Sequence, residues 1–278
     1  MREVTVATVQ MQPELYEIER NLVKMSDYIA TICAQQKVDI IVFPELITTG
    51  YECGVRFTDL AQRVPGPAVN VIAQRAADYG VFVVFGLAGK EKVESILYNS
   101  LALVGPEGDF IGEYRKVHLH GEEQLAFRRG LRFPIFETRH GMLGLLSGYD
   151  LAFPEAARSL ALDGAELLLV AANIESAQMD EQRIFLQARA LENSLFIAAA
   201  NRVGEDVTLS FGGESGIVTP QGTFLASLQG ELQPETNLPA EGYAVARFDL
   251  GDVRRTRETR HTLQHRAPDA YKMIVKKY

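Results

Sequence analysis

The segment "GLLSGYDLAFPE", Gly144 to Glu155, decides the fold of this chain. In it an apolar run stops at the small pair Ser147-Gly148, and an aromatic residue, an acid and Phe-Pro-Glu follow. Pro154 stands where the first turn of a helix tolerates proline, so the segment predicts a strand, a tight bend and a helix. Many hydrolases present a nucleophile on such a bend, but the tip of this one carries no strong nucleophile.

Strand-like apolar runs alternate with amphipathic helical runs on both sides of this segment. Helices are predicted near residues 17–35, 68–79 and 178–194 from the spacing of their apolar positions. The runs "VDIIVFPE", "VFVVFG", "ELLLVAAN" and "LFIAAAN" are typical of buried strands. Alternating strands and helices favour a sheet covered by helices. No linker-like stretch divides the chain, so residues 1–278 are predicted to form one domain.

The composition excludes several classes of function. A formal net charge of -8 argues against nucleic acid as the main partner. No apolar run approaches the roughly 18 residues of a membrane span, and the N-terminus lacks the apolar stretch of a signal peptide. Cys33 and Cys53 are the only cysteines, so no disulfide framework is expected and a cytoplasmic location is predicted. The basic cluster "RRTRETR", residues 254–260, is predicted to be an ion-paired surface.

Two charged residues that follow strands are candidates for catalysis. Glu45, in "VFPELITTGY", comes just past an apolar strand, where a carboxylate is well placed to act in a pocket as a general base. Lys116, in "EYRKVHLHGEE", ends another strand, and a lysine in a pocket can stabilise a developing oxyanion. The alternative for Glu45 alone is a helix-capping or surface-paired carboxylate. The lysine gains weight only in combination with Glu45.

The same segment contains a His-x-His pair, which is a common pair of metal ligands. If the strand persists, alternation sends Lys116, His118 and His120 to one face of the sheet. No clear third ligand stands nearby in the sequence. We therefore predict no metal site.

Taken in order, these segments resemble the signature blocks of the nitrilase superfamily, carbon–nitrogen hydrolases that use a Glu–Lys–Cys triad. The blocks are Glu45 in "FPE", Lys116 in "YRKVHL", and "GYDLAFPE". The resemblance continues with "EEQLAFRRG", "ARALENSLFIAAANRVG", "FGGESGIVTPQG" and "HRAPDAY", and so spans nearly the whole chain. It implies an α-β-β-α sandwich, usually dimeric through the helical face next to the active site. It also implies no metal and no organic cofactor.

The resemblance further implies a mechanism and assigns roles by position. The family's glutamate removes the thiol proton, and the thiolate attacks an amide, carbamoyl or nitrile carbon before water hydrolyses the adduct. Glu45 corresponds to this base, and Lys116 to the lysine that stabilises the tetrahedral intermediate. Glu123 corresponds to the second glutamate, which positions the substrate and supports the lysine. Glu122 is the alternative if the loop is offset by one residue.

At the nucleophile position the sequence departs from the family. The third block should have a cysteine directly before Tyr149, and Gly148 stands there, so covalent catalysis from this position is impossible. Ser147 is adjacent, but one step along a strand turns its side chain to the opposite face, and glutamate is a weak base for a hydroxyl. Cys53, in the loop after Glu45, is the other alternative nucleophile.

Further pocket candidates also come by position. Tyr51 lies in the loop after Glu45, and the backbone N–H of Tyr149 would complete the oxyanion site. Asn173 ends the strand after the bend, where the family often shows a tryptophan-proline pair that is missing here. We predict all three as substrate-binding residues.

Three explanations for Gly148 stay open. The first is that the cysteine was removed in the laboratory. The second is that the natural protein keeps the pocket and binds a ligand without chemistry, and the third is that the reaction needs only Glu45, Lys116 and a water. Because unpaired buried charges are costly, the retained charged residues favour a recent or engineered loss, or continued ligand binding. We predict an amidase-type protein for a small amide-like substrate with covalent turnover absent or severely reduced. The alternative is a natural pseudoenzyme that binds a small ligand.

Overall fold

Two large β-sheets and a set of flanking helices form the framework of the protein. The computed structural model describes residues 2–92, 96–234, 236 and 238–276. The strands are β1 Glu3–Gln10, β2 Ile40–Val42, β3 Gln62–Arg63, β4 Phe82–Lys90, β5 Leu97–Val104, β6 Phe110–Arg115, β7 Ile135–Thr138, β8 Gly141–Ser147, β9 Leu167–Ala172, β10 Phe196–Asn201, β11 Val203–Glu205, β12 Ser210–Gly212, β13 Gly216–Val218, β14 Phe224–Ser227 and β15 Gly242–Asp249. The helices are α1 Ile18–Gln35, α2 Phe57–Leu60, α3 Pro67–Tyr79, α4 Glu123–Ala126, α5 Pro154–Leu162, α6 Met179–Asn193 and α7 Gly251–Arg260.

Each large sheet contains a parallel centre with antiparallel neighbours. The first has the order β15-β1-β2-β4-β5-β6, with β3 beside β4, and the second has the order β14-β13-β10-β9-β8-β7. Strands β1, β2 and β4 run parallel, as do β8, β9 and β10. The carboxyl ends of the central strands therefore meet at one edge of each sheet, where ligand sites in α/β proteins form.

The two sheets pack face to face between two helical layers. One apolar core lies between the sheets and includes Val42 from the first sheet and Leu145 from the second. A second core joins the first sheet to α1 and α3, and a third joins the second sheet to α5 and α6. Because the central strands are buried on both faces, they are apolar almost throughout. The predicted α-β-β-α sandwich is confirmed.

The predicted helices agree with the structure to within a few residues at their ends, and a short 3₁₀ turn, Ser176–Gln178, precedes α6. The strand does not persist through the segment of Lys116, His118 and His120, which was the condition for placing them on one face. Strand β6 ends at Arg115, so strand alternation does not decide where Lys116, His118 and His120 point. The basic cluster lies on α7, where Arg254 and Arg255 pair with acidic residues of the same helix.

One Phe-Pro-Glu triplet follows β2 of the first sheet and another follows β8 and its turn in the second sheet, but the two glutamates differ in burial. Glu45 follows β2 and is buried, whereas Glu155 is exposed in the first turn of α5. An acid in the first turn suits the partial positive charge of a helix N-terminus. The sequence similarity therefore marks equivalent places in the two sheets and not equivalent roles.

Candidate active site

Glu45 is positioned by the backbone that continues beside β4 after β2 has ended. The Phe43 amide donates to the Val84 carbonyl at 2.8 Å, and the Gly86 amide donates to the Pro44 carbonyl at 3.1 Å. A Cβ atom at Gly86 would lie 2.6 Å from the Cα atom of Glu45, so this close approach requires glycine. The Glu45 side chain is consequently held at the sheet edge, with 2% of the residue exposed.

The ammonium group of Lys116 joins two buried carboxylates. Its Nζ atom donates to Glu45 Oε1 and to Glu123 Oε1, each at 2.7 Å. The Asn99 amide Nδ2 donates to Glu45 Oε1 at 2.6 Å. The backbone of Lys116 is also fixed, because its N–H donates to the Asn99 carbonyl and its carbonyl accepts from the Gly130 amide. The structure thus brings together the three charged residues that the sequence predicts as catalytic.

Burial and mutual contact shift the proton affinities of this cluster. Burial, followed by the Glu45 carboxylate, raises the pKa of Glu123 from its ordinary value to about 7, although Lys116 acts in the opposite direction. Burial lowers the pKa of Lys116, but the Glu45 and Glu123 carboxylates outweigh it and raise that pKa above its ordinary value. Lys116 therefore stays an ammonium ion, and Glu123 exchanges its proton near neutral pH.

The raised pKa of Glu123 predicts a pH-dependent stability. The folded chain binds the Glu123 proton more tightly than the unfolded chain does. The contribution of this proton to the free energy of unfolding is therefore fully present below about pH 4.5 and is lost as pH rises through about 7. Glu123→Gln removes the titration. The free energy of unfolding of the variant minus that of the parent should therefore increase from pH 4 to pH 8.5, by about 3 kcal/mol. Urea unfolding across this range measures it.

Glu122→Gln is the matched control, because Glu122 is the neighbouring residue and is exposed. The free energy of unfolding of Glu122→Gln minus that of the parent should stay constant from pH 4 to pH 8.5. A Glu123→Gln difference that is equally flat would show that the Glu123 carboxyl group titrates as in water.

The bend after β8 is tied to the Lys116 segment by one buried carboxylate. Asp150 accepts from the Ser147 amide at 3.0 Å and from the Tyr114 hydroxyl at 2.5 Å. It also accepts from the His118 amide at 3.2 Å and lies 2.8 Å from His118 Nδ1. The imidazole of His118 stacks on Phe153, with ring centroids 3.7 Å apart. Asp150 therefore fixes the bend and the two residues after Lys116 relative to each other.

Gly148 begins the 3₁₀ turn Gly148–Ala152 and faces a cavity of about 300 Å³. This "Gly148 cavity" is lined by His120, Gly148, Tyr149, Ala152, Ile174, Gln178, Glu181, Gln182 and Phe185. A Cβ atom at Gly148 would lie 2.7 Å from the Ala172 Cβ atom and 2.9 Å from the Ile174 Cδ1 atom, closer than real Cβ atoms approach. The end of Ile174 can rotate away, but the Ala172 Cβ atom is fixed to β9. The neighbours of Gly148 thus restrict the space for a side chain at the position predicted for the nucleophile.

Neither alternative nucleophile is placed for attack. Ser147 is fully buried and lines neither the Gly148 cavity nor the second cavity, which lies beside Glu123. Cys53 is 3% exposed, its Sγ atom lies 3.3 Å from the Thr49 carbonyl, and burial raises its pKa to about 12. A thiol with that pKa is protonated at neutral pH and is not the nucleophilic form.

A second cavity, of about 230 Å³, reaches the buried Glu123 carboxylate and shares His120 with the first. This "Glu123 cavity" is lined by Tyr51, Glu52, Gly54, Phe57, His120, Gly121, Glu122, Glu123, Ala126, Glu175, Thr208 and Leu209. The rings of His120 and Tyr149 lie 4.6 Å apart between the two cavities.

The predicted substrate-binding residues take three different places. Tyr51 lines the Glu123 cavity, and burial, followed by the Glu123 carboxylate, raises its pKa. Tyr149 lines the Gly148 cavity. Asn173 lines neither, but both polar atoms of its side chain are buried and have no hydrogen-bond partner among the described residues. Buried amides are normally paired, so Asn173 is unusual.

Sequence reasoning missed Asn99 and the anchor of the Tyr51 loop. Asn99 and Ser100 interrupt a largely apolar strand, and that polar interruption was the signal available. The anchor is the fully buried ion pair of Arg202 and Asp206, joined by two hydrogen bonds of 2.9 and 2.8 Å. Asp206 also accepts the Tyr51 amide at 2.9 Å, so it holds this loop over the cavity. Charges four residues apart on a loop carry no recognisable pattern.

Two other features bear on alternative classes of protein. In the part of the chain that the structure describes, three or more His, Cys, Asp or Glu side chains nowhere converge as a metal site would need. No described helix combines the length and the apolar character needed to cross a bilayer.

Comparisons with known proteins agree with this geometry. Residues 5–258 match the family described as carbon–nitrogen hydrolase. A probable nitrilase of Schizosaccharomyces pombe is 40% identical over 277 residues, which cover 98% of this chain and 99% of that protein. A carbon–nitrogen hydrolase from Helicobacter pylori has a TM-score of 0.90 over 99% of both chains at 24% identity, which is a likeness of fold.

Another solved structure is a mutant of the amidase from Nesterenkonia. It carries the acetamide moiety of fluoroacetamide covalently on its active-site cysteine. It is 27% identical to this chain, with a TM-score of 0.83, and the match covers 97% of this chain and 96% of that one.

Proposed function

Because this chain belongs to the carbon–nitrogen hydrolase family, we propose that its buried charged site takes a small amide, carbamoyl or nitrile compound. The proposal is of an amidase-type site in one domain, residues 1–278, that needs neither a metal nor an organic cofactor. In such a site a base and a cation serve a nucleophile that attacks the carbon bonded to nitrogen. The predicted homodimer and cytoplasmic location stay predictions.

The proposed roles follow from the positions of the charges. Glu45 takes up and returns a proton, and Lys116 with the Tyr149 N–H stabilises the atom that becomes negative in the tetrahedral intermediate. Glu123 holds Lys116 at 2.7 Å and orients the substrate. Support for these roles comes from a cation that touches both carboxylates while all three side chains are at most 4% exposed.

Two further residues are proposed to contact the substrate. Tyr51 lines the Glu123 cavity and is held there by its backbone bond to Asp206. Asn173 offers an amide NH₂ group and a carbonyl oxygen that no described residue uses, and a primary amide is complementary to both.

We also propose that covalent turnover is absent or severely reduced in this chain. The observation that carries this proposal is Gly148 at the bend, where the family's nucleophile is expected and where no side chain is available. The contacts that Ala172 and Ile174 would make with a Cβ atom there support the same conclusion. A water activated by Glu45 is the remaining route, and it lacks the covalent intermediate that divides the reaction into two easier steps.

The second candidate function is ligand binding without hydrolysis. It is favoured by the paired buried charges, of which Glu123 lines a cavity of about 230 Å³. Keeping one cation and two carboxylates out of water is costly unless each is satisfied, and here each is.

A panel of small aliphatic amides and nitriles tests both candidates. Ammonia release should stay near the uncatalysed background, while ligand-observed NMR should detect binding that Lys116→Ala abolishes. Brisk ammonia release by the unmodified chain would overturn the assigned effect of Gly148. The absence of both turnover and binding would overturn the amidase-type site itself.

A further inference from the structure

The hairpin of β11 and β12 stands apart from the two large sheets. Its strands form a separate two-stranded sheet. Val203, Phe211 and Gly212 at its base are buried, whereas residues 204–210 are exposed or half-buried. A hairpin of two strands is at best marginally stable in water by itself. The tip of this hairpin, residues 206–209, therefore depends on contacts with other segments to keep its place.

Two carboxylates bond the hairpin tip to the segment that contains Tyr51 and Glu52. Asp206 of the tip accepts from the backbone amides of Tyr51 and Glu52, at 2.9 and 3.0 Å. In return, Glu52 accepts from the amides of Thr208 and Leu209, at 2.7 and 3.0 Å, and from the Thr208 hydroxyl. We call these reciprocal bonds the carboxylate latch. Hydrogen bonds to a charged acceptor are stronger than those between neutral groups, so the latch can hold a tip that buries little apolar surface.

The two halves of the latch differ in their surroundings. The Asp206 side chain is fully buried and receives two hydrogen bonds from Arg202, at 2.9 and 2.8 Å. The Arg202 guanidinium lies 4.0 Å from the centre of the Phe211 ring, so this half is built into the hairpin. Glu52 lies on the opposite segment and is only half-buried, so water competes with the tip for its carboxylate. The Glu52 half is therefore the weaker half of the latch.

The latch closes one side of the Glu123 cavity. Thr208 and Leu209 line the cavity from the hairpin tip, and Tyr51 and Glu52 line it from the opposite segment. The bonds between Glu52 and the tip thus cross from one wall of the cavity to the other. When these bonds break and the tip lifts, the two walls separate and the cavity opens to water and solutes.

We propose that the β11–β12 hairpin is a lid on the Glu123 cavity and that Glu52 is the positioning residue that holds the lid shut. Local openings need less free energy than global unfolding, and lids of this kind separate a site from water. The inference rests on the proposed function only for the identity of the ligand, a small amide that enters when the lid opens. The opening itself is a property of the chain without ligand.

The native thiol of Cys53 reports the opening without any ligand. Cys53 follows Glu52 directly and is 3% exposed. Burial, followed by the Asp206 carboxylate, raises the pKa of Cys53, which places the thiol beside the hairpin. In a Cys33→Ser background Cys53 is the only cysteine. We expect Ellman's reagent to label Cys53 at least about tenfold faster in Glu52→Ala than in the Cys33→Ser parent, because the variant loses its bonds to the tip.

Two matched variants assign the effect to the latch. Glu52→Gln keeps an oxygen acceptor for the amides of Thr208 and Leu209, so its labelling rate should stay within about threefold of the parent rate. Glu205→Ala removes a carboxylate from an exposed position on β11 of the same hairpin. The Glu205 side chain takes no part in the latch, so this variant should be labelled at the parent rate.

Urea separates lid opening from a general loss of stability. Lid opening exposes little surface, so the labelling rate of Glu52→Ala should be nearly independent of urea below about 1 M. Labelling through global unfolding would instead accelerate steeply with urea, and that result would overturn the lid. Equal labelling rates of Glu52→Ala and the parent would overturn it as well.

Butyramide distinguishes failure of the lid from failure of the proposed function. If ligand-observed NMR shows that butyramide binds, a saturating concentration should slow the labelling of Cys53 in the Cys33→Ser parent by at least about threefold, because the bound ligand contacts both walls and favours the closed lid. Binding without such protection overturns the lid. Failure of the whole amide panel to bind overturns the proposed function, and the labelling rates without ligand then decide the lid by themselves.

Discussion

The double variant Gly148→Cys with Ala172→Gly should release ammonia from small amides at least about a thousandfold faster than the parent chain, because losses of this size or larger follow removal of a nucleophile. The thiol would stand at the bend that Asp150 fixes, next to the segment that carries Lys116. Ala172→Gly removes the atom that would otherwise lie 2.7 Å from the new Cβ atom. A coupled ammonia assay measures the rate.

Two single variants and one triple variant make this result specific. Gly148→Cys alone should be less active and less stable than the double variant, since overpacking of a buried site typically costs about 1–3 kcal/mol. Ala172→Gly alone should stay inactive. Adding Lys116→Ala to the double variant should abolish the activity. Intact mass after exposure to fluoroacetamide should show an adduct only where the cysteine is present and competent.

A folded double variant that is inert toward every amide and nitrile would contradict the expectation. In that case the buried charges would be present but not arranged for catalysis, and the binding function would become the better proposal.

Lys116→Ala should lower the free energy of unfolding by about 3–5 kcal/mol at pH 8, because breaking a buried ion pair leaves charges without compensation. Glu45 and Glu123 each lose the one cationic contact, at 2.7 Å, that the described residues give them, and both stay out of water. The loss should be smaller at pH 5, where Glu123, with its pKa of about 7, already carries a proton. Urea unfolding at the two pH values measures the difference.

Combining Lys116→Ala with Glu123→Gln should recover part of the lost stability, since one unpaired charge is then absent. Lys37→Ala, at an exposed position, is the matched control and should change stability by less than about 0.5 kcal/mol. Similar losses for Lys116→Ala at pH 5 and pH 8 would contradict the account, because they would point to lost packing and not to lost charge compensation.

Two charged residues of the site, Glu45 and Lys116, could be predicted because each lies where a strand ends, whereas Glu123, which begins α4, was predicted only from the family resemblance. Glu45 follows β2, and Lys116 follows β6 directly. Local sequence marks such places well, since an apolar run that ends in a charged residue is visible without knowing any contact. The order of the segments along the chain then identified the family, which the comparisons confirm.

Other features of the site could not be predicted because they depend on side chains from distant segments. Asn99 reaches Glu45 across 54 positions of sequence, and Asp150 reaches the His118 segment across 32. The crowding of Gly148 by Ala172 depends on the register of β8 against β9, and no local pattern encodes that register.

By itself, the sequence determined the sandwich of sheets and helices, the place of the bend and the absence of a side chain at Gly148. The bend and the missing side chain follow from apolar periodicity and residue identity, which are local properties of the chain, whereas the sandwich was implied by the resemblance of the ordered segments to the nitrilase superfamily. Only the tertiary structure decided that Lys116 bonds both carboxylates, that Cys53 is too buried to serve as a thiolate, and that the cavity beside Glu123 is acidic. The physical reason is that distances, burial and electrostatic potential arise from segments that meet only after folding.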